Sequence, residues 1–129
     1  MSADPKVPPD DELVEFFGVR PTFSDDDSSV PSYYQELAFK TRRGDYLVVC
    51  RIQASCGDLE LSILRDSVEI VSLEVSSIVE YRIEREADTS ALVATFSEAS
   101  GIRPLVLRLA PVPHVQWGTC MGFADRPRM

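Results

Sequence analysis

Histidine, cysteine and glycine are scarce in this chain of 129 residues, which has one histidine, three cysteines and six glycines. A Ser/His/Asp or Cys/His catalytic arrangement would have to use His114, yet this residue lies between Pro113 and Val115, and no GxSxG elbow occurs in the sequence. The glycines occur singly, so no phosphate-cradling loop is predicted. These absences indicate a protein that is not an enzyme and binds no nucleotide.

The three cysteines, Cys50, Cys56 and Cys120, include no CxxC spacing of the kind that zinc and redox sites use. Cys50 shares its strand parity with Val48 and Ile52, so we expect it to be a buried residue with an inert thiol. We therefore expect no metal, redox centre or other cofactor.

Long apolar runs are also missing. The N-terminus lacks the apolar core of a signal peptide, and no stretch reaches the length of a membrane-spanning helix. The sequence therefore predicts no membrane contact. With an odd number of cysteines and no secretion signal, we expect a reducing, cytoplasmic location.

Negative charge, by contrast, is abundant. The chain has 21 acidic and 13 basic residues, a formal net charge of −8 and a pI near 4.6. Residues 1–30 hold eight acidic and two basic side chains, a net of −6, so most of the charge lies near the N-terminus. Such a field repels phosphate backbones, which argues against nucleic-acid binding.

The length predicts a single domain over residues 1–129. Its expected parts are a flexible arm (1–9), a helix (10–18), an acidic loop (19–32), a β-meander (33–109) and an irregular tail (110–129). Connections between the apolar runs are too short for parallel crossovers. The predicted fold class is α+β, with a short N-terminal helix packed on a mostly antiparallel β-meander sheet of six or seven strands, and the alternative is an all-β barrel or sandwich.

The helix is indicated by three apolar side chains at i, i+3 and i+4: Leu13, Phe16 and Phe17. Asp10 or Asp11 can cap its start, and Gly18 is typical of its end. Two turns are too few for a stable isolated helix, so we expect it to pack on the sheet.

Three strands of the meander carry specific expectations. Residues 46–52 are apolar at nearly every position, which predicts a strand covered on both faces. In residues 68–75 the apolar side chains occur at both even and odd positions, which indicates a β-bulge. Residues 79–84 alternate strictly and predict a strand with one wet face.

Asp25, Asp26 and Asp27 form the densest run of charge, beside Phe23, the one strong apolar anchor of the loop. Calcium loops space their ligands at alternate positions and include a glycine and a distant glutamate, none of which occurs here. A solvated acidic patch is therefore favoured over a metal site.

Tyr33 and Tyr34 follow this loop, and two interpretations stay open for them. Aromatic side chains make good anchors for a partner protein. They can equally be the first buried pair of the sheet, although strand alternation buries only one of them on a given face.

Residues 17–25 read FGVRPTFSD and resemble a motif in small bacterial immunity proteins of polymorphic toxin systems. In one such family a terminal helix ends in Phe-Gly, and an aromatic residue, a proline, a second aromatic and a His-Asp pair lead into a meander of strands. Five positions match this pattern: Phe17, Gly18, Pro21, Phe23 and Asp25. Arg20 and Ser24 stand where tryptophan and histidine are usual.

The resemblance implies a non-enzymatic protein that binds a cognate toxin and blocks its active site. Against a basic nuclease toxin, an acidic patch would mimic phosphate and accelerate association. The partner contacts expected on this hypothesis are Asp25, Asp26, Asp27, Asp10, Asp11 and Tyr33.

A second hypothesis is a structural subunit of a larger complex or homo-oligomer. The edge of the strand at residues 79–84 could pair with another chain. A third, a metal-dependent hydrolase built on the acidic loop, ranks last for the spacing reason given above.

Overall fold

The computed structural model describes residues 4–24, 30–86 and 88–118. These contain one α-helix, α1 (Asp10–Phe17), and nine β-strands. The strands are β1 (Thr22–Phe23), β2 (Leu37–Arg43), β3 (Tyr46–Gln53), β4 (Asp58–Arg65), β5 (Val68–Val75), β6 (Glu80–Glu86), β7 (Thr89–Thr95), β8 (Leu105–Arg108) and β9 (His114–Gln116).

The strands form two antiparallel sheets in chain order, a five-stranded sheet β1-β2-β3-β4-β5 and a four-stranded sheet β6-β7-β8-β9. This confirms the α+β class and the antiparallel meander, and the sheets do not close into a barrel. The number of strands exceeds the expected six or seven because of β1 and β9, which lie outside residues 33–109. At two and three residues they are too short to show a period in the sequence.

β9 also places regular structure within residues 110–129, where an irregular tail was expected. It pairs with β8, so that Val115 lies opposite Leu107. Just beyond it, the ring of Trp117 stacks on Phe96 at a centroid distance of 6.0 Å. The prolines near β9 do not prevent this backbone pairing, because they lie outside the paired residues.

The expected arm at residues 1–9 is likewise attached where the structure describes it. Lys6 forms a parallel bridge with Glu80, and the Tyr81 amide donates to the Lys6 carbonyl at 2.7 Å. The Tyr33 hydroxyl donates to the Pro5 carbonyl at 3.0 Å. Prolines favour extended backbone, and this segment extends along the start of β6.

Helix α1 buries Leu13, Phe16 and Phe17, as its periodicity predicts. The Phe17 ring stacks on Phe39 of β2 at 4.3 Å between centroids. Gly18 ends the helix in the left-handed conformation, φ 74°, and its amide donates to the carbonyl of residue 14. The helix is thereby attached to the core-facing side of the five-stranded sheet.

The start of α1 differs from the expectation. Pro9 is the N-cap and no side chain caps the helix, whereas Asp10 and Asp11 lie within its first turn. Their carboxylates are therefore placed where the helix dipole favours negative charge, but they do not bond to the free amides.

One hydrophobic core is shared by the helix and both sheets. Tyr81 of β6 is 1% exposed. Its hydroxyl donates to the carbonyl of Asp58 on β4 at 2.8 Å. A partly buried hydrogen bond thus connects the two sheets.

The prediction that residues 46–52 are covered on both faces was wrong. In β3 the core side holds Val48, Cys50 and Ile52, while Arg51 on the other side is exposed. The doubly covered strand is β7, whose residues 91–94 are all buried. Helix α1 packs against β7, whereas the residues of β3 that face away from the core are half-buried or exposed.

The predicted bulge in β5 is confirmed. Opposite β4, the register shifts between Ile63 and Leu64, which leaves Ile70 as the extra residue.

Candidate protein-binding site

A groove of about 460 Å³ lies on the outer face of the five-stranded sheet. Its floor consists of side chains from β3, β4 and β5 that point away from the core, because alternate residues of each strand face opposite sides. The groove is lined by Glu36, Arg51, Gln53, Asp58, Leu59, Glu60, Glu74, Val75 and Ser76.

The register of the sheet brings charged residues from three strands into one row. Arg51 on β3 lies opposite Glu60 on β4, and Glu60 lies opposite Glu74 on β5. Like charges placed directly opposite each other on antiparallel strands destabilise a sheet. The groove therefore contains a repulsion that a positively charged ligand would relieve.

The groove carries four carboxylates against one guanidinium, a net charge of −3. Arg51 lies 3.8 Å from Glu36, a loose pair with both side chains at least 40% exposed. Within the described part of the chain, Glu60, Glu74 and the Asp58 carboxylate have no ion-pair partner. Unpaired carboxylates on a rigid sheet can accept hydrogen bonds from lysine or arginine.

Metal binding has no support in residues 4–24, 30–86 and 88–118, where no three histidine, cysteine or acidic side chains are grouped closely enough to hold an ion. The groove carboxylates are spread along and across the sheet instead. Their arrangement suits an extended basic surface better than a single cation.

The acidic loop predicted at residues 19–32 contacts the rim of this groove at Ser24. Glu36 lines the groove, and its carbonyl accepts from the Ser24 amide at 3.1 Å while its amide donates to Ser24 Oγ at 3.0 Å. Asp25, Asp26 and Asp27 follow directly in the chain but lie outside the described residues. Their role in partner contact therefore stays a prediction.

Phe23, expected as the apolar anchor of that loop, has a different role. Its backbone pairs with Leu37, but its side chain is 45% exposed. The short strand β1 holds the backbone in place, and the ring is left at the surface.

Asp10 and Asp11 do not line the groove. They begin α1, which packs on the core side of the five-stranded sheet through Phe17 and Phe39. Since the groove is on the opposite side, these two aspartates and the groove belong to separate surfaces.

Tyr33 is half-buried, and its hydroxyl is already bonded to the Pro5 carbonyl. Its ring packs edge-on against Tyr34, whose side chain is 60% exposed. Of the two tyrosines, Tyr34 therefore offers the free aromatic surface, and Tyr33 holds the N-terminal segment.

Sequence reasoning missed the groove because its charges are distributed over residues 36–74. Strand parity places Glu60 on a polar face, and this signal was visible in the alternation of β4. Which residues of β3 and β5 lie beside it depends on the register of both hairpins, which parity alone does not determine.

The remaining reactive residues stand apart from the groove. Cys50 is fully buried, as predicted, and burial raises the pKa of its thiol to about 12. Cys56 is exposed, and His114 is an exposed residue of β9 opposite Arg108. Among the described residues no helix is long and apolar enough to cross a membrane.

Comparison with known proteins identifies a solved structure of similar fold. No protein-family model and no curated protein sequence matches the chain. A chain from the solved structure of a contact-dependent growth inhibition toxin–immunity protein complex from Klebsiella pneumoniae 342 is similar, with a TM-score of 0.76 and 14% sequence identity. The alignment covers 91% of this chain and 98% of that one. The likeness is one of fold, and at that level it supports the resemblance of residues 17–25 to immunity proteins.

Proposed function

We propose that this protein neutralises a cognate bacterial toxin through protein–protein contact, without chemistry of its own. The observation that carries the proposal is the match of nearly the whole fold to a chain from a toxin–immunity complex. The alignment spans almost the full length of both chains, so the likeness concerns the whole fold rather than one shared hairpin.

The acidic groove is the proposed contact surface. Its net charge of −3 is part of a chain charge of −8, which would attract a basic toxin at long range and speed the encounter. Once docked, lysine or arginine side chains would relieve the repulsion between Glu60 and Glu74 and bond to them with partial loss of water.

The predicted contacts are assigned roles relative to this groove. Asp25, Asp26 and Asp27, which follow Ser24 in the chain, are proposed to contact basic side chains of the toxin. Asp10 and Asp11 lie on the other side of the sheet and contribute to long-range attraction only, and Tyr33 supports the segment that carries them.

The proposed site of action is the cytoplasm. Cys50 and Cys56 are both free thiols, which fits a reducing compartment.

The experiment uses the toxin domain encoded by the gene adjacent to this one. Co-expression with this protein should restore growth, and the purified proteins should bind. Absence of binding by the wild-type protein would refute the proposal.

A matched pair of variants tests the groove. Glu60→Gln/Glu74→Gln removes two groove charges, while Glu86→Gln/Glu98→Gln removes two exposed charges near the four-stranded sheet. Only the first should slow association at low salt, by about tenfold, as expected for loss of steering charge at an interface. A triple Asp→Asn variant at residues 25–27 tests the loop in the same assay, and an unchanged on-rate would remove the loop from the interface.

The alternative of an assembly subunit depended on the edge of residues 79–84. In the structure Lys6 bridges to Glu80 at the start of this edge, and Arg82 pairs with Glu80 at 3.5 Å and with Glu84 at 2.8 Å. Charged side chains of this kind protect an edge from pairing with other chains. Sedimentation across a range of concentrations tests this alternative, which predicts self-association.

A further inference from the structure

Strand β5 is an open edge of the five-stranded sheet. Seven of its eight residues pair with β4 on one side, and none of the described residues pairs with it on the other. The opposite edge is partly covered by β1, and α1 packs against β2. An unpaired edge of this length presents a row of free backbone donors and acceptors.

Lysine and proline, two of the residues that usually protect an edge strand, are missing from β5, whose sequence is VEIVSLEV. Val68 and Ile70 are instead 62% and 54% exposed. The bulge at Ile70 disturbs only the beginning of the strand, since residues 71–75 pair in regular register with residues 59–63.

The hairpin that carries β5 is also held in one geometry. Asp66 and Ser67 both adopt positive φ, 52° and 65°, so that β4 turns into β5 within two residues. Arg65 at the start of this turn lies 5.7 Å from the Tyr46 ring centroid and 4.0 Å from Asp45. A fixed hairpin lowers the entropy lost when another strand is added.

The negative charge of β5 and of the whole chain determines which kind of strand can pair with this edge. Antiparallel pairing of β5 with a second copy about its midpoint would bring Glu69 of each copy to Glu74 of the other, between chains that each carry a net charge of −8. Like charges directly opposite are unfavourable. A basic strand avoids this repulsion, because Glu74 also lines the acidic groove and would lie beside its lysine or arginine side chains.

We propose that the partner toxin adds an extended strand of alternating basic and apolar residues to the free edge of β5. The basic side chains face the groove beside Glu74 and Glu60, and the apolar side chains cover Val71 and Leu73 on the other face. This inference rests on the proposed function and adds the mode of binding to it.

Amide hydrogen exchange tests the backbone pairing directly. The full-length protein is compared free and bound to a catalytically inactive form of the toxin domain from the adjacent gene. Amides within residues 71–75 should exchange at least about tenfold more slowly in the complex, as new ladder bonds require. Amides of residues 82–86, on the other sheet edge, should be unchanged.

The variant Ile70→Lys tests the same edge through affinity. Its matched control is Val112→Lys, because Val112 is 55% exposed and receives the same charge. Ile70→Lys should weaken toxin binding by about tenfold or more, and Val112→Lys by no more than about twofold. Equal melting temperatures of both variants and the wild type show that the fold is intact.

The outcomes separate the two proposals. Tight binding by Ile70→Lys without protection of residues 71–75 overturns strand addition and leaves the proposed function standing. Failure of the wild-type protein to bind the toxin overturns both. Sedimentation could instead show that the wild-type protein is a dimer and that Ile70→Lys dissociates it. That result would assign the β5 edge to a second copy of this chain and would also overturn strand addition by the toxin.

Discussion

At the scale of single residues, Gly57 has the least freedom to change. It adopts φ 69°, and a Cβ at this position would lie 2.6 Å from the Ile78 carbonyl oxygen. Its own carbonyl accepts from the Ile78 amide at 3.0 Å. Gly57 therefore joins the connection between β3 and β4 to the segment between β5 and β6, at a distance that no side chain permits.

We expect Gly57→Ala to lower the free energy of unfolding by about 2–4 kcal/mol, from left-handed strain and the clash with backbone that cannot yield. Gly44→Ala is the control, because Gly44 has φ 59° but nothing within 4 Å of its added Cβ. It should cost only the strain, about 1–2 kcal/mol. Urea unfolding measures both, and equal losses would contradict the role of the close approach.

The two described cysteines should differ sharply in reactivity. In a Cys120→Ser background, an aromatic disulfide reagent at pH 8 should modify Cys56 within minutes and leave Cys50 untouched, because Cys50 is fully buried and its thiol pKa is raised to about 12. Addition of denaturant should expose the Cys50 thiol to the reagent. Rapid modification of two thiols in the native protein would contradict the packing around Cys50.

At the scale of elements, α1 depends on its contacts with the sheet. Eight residues cannot form a stable isolated helix. Besides the stack of Phe17 on Phe39, Arg43 donates from Nη2 to the Phe17 carbonyl at 2.9 Å and from Nη1 to Thr41 Oγ1 at 2.9 Å. The end of β2 thereby holds the end of the helix.

Arg43→Met keeps the apolar stem of the side chain but removes its donors. We expect a loss of about 1–3 kcal/mol in the free energy of unfolding, the cost of leaving such a partner unsatisfied. Arg42→Met is the neighbouring control, because Arg42 is exposed and its side chain has no ion pair with a described residue. Equal unfolding midpoints for the two variants would show that Arg43 does not hold the helix.

The link between the two sheets is testable in the same way. Tyr81→Phe removes the hydroxyl that donates to the Asp58 carbonyl and should lower the free energy of unfolding by about 1–2 kcal/mol. Tyr34→Phe, at a position 60% exposed, should change it little. Thermal unfolding of both variants measures these changes. An unchanged stability of the Tyr81→Phe variant would show that the hydrogen bond between the sheets is dispensable.

At the scale of the whole molecule, stability and binding should oppose each other in the groove. Glu74→Lys replaces the repulsion with Glu60 by attraction and should stabilise the free protein by about 0.2–1 kcal/mol, the usual range for cross-strand pairs. The same change should weaken toxin binding. Glu98→Lys, an exposed position outside the groove with the same charge change, should do neither. A Glu74→Lys protein that binds the toxin more tightly would show that the groove is not the interface.

The sequence by itself determined the features that depend on neighbours along the chain. The i, i+3, i+4 spacing of Leu13, Phe16 and Phe17 identified the helix and its buried face. Mixed parity in β5 indicated the bulge, and short turns required antiparallel pairing. These are local properties, because the periods of helix and strand are set by backbone geometry.

Only the tertiary structure decided which faces and edges remain free. β3 is as apolar as a strand buried on both faces, yet one face is open because α1 packs on the core side of the sheet instead. The groove unites Glu36, Arg51, Glu60 and Glu74 through the register of successive hairpins. Likewise, β5 is an edge only because β6 begins a second sheet. Burial and register depend on the arrangement of all elements at once, which a residue's neighbours in the chain do not specify.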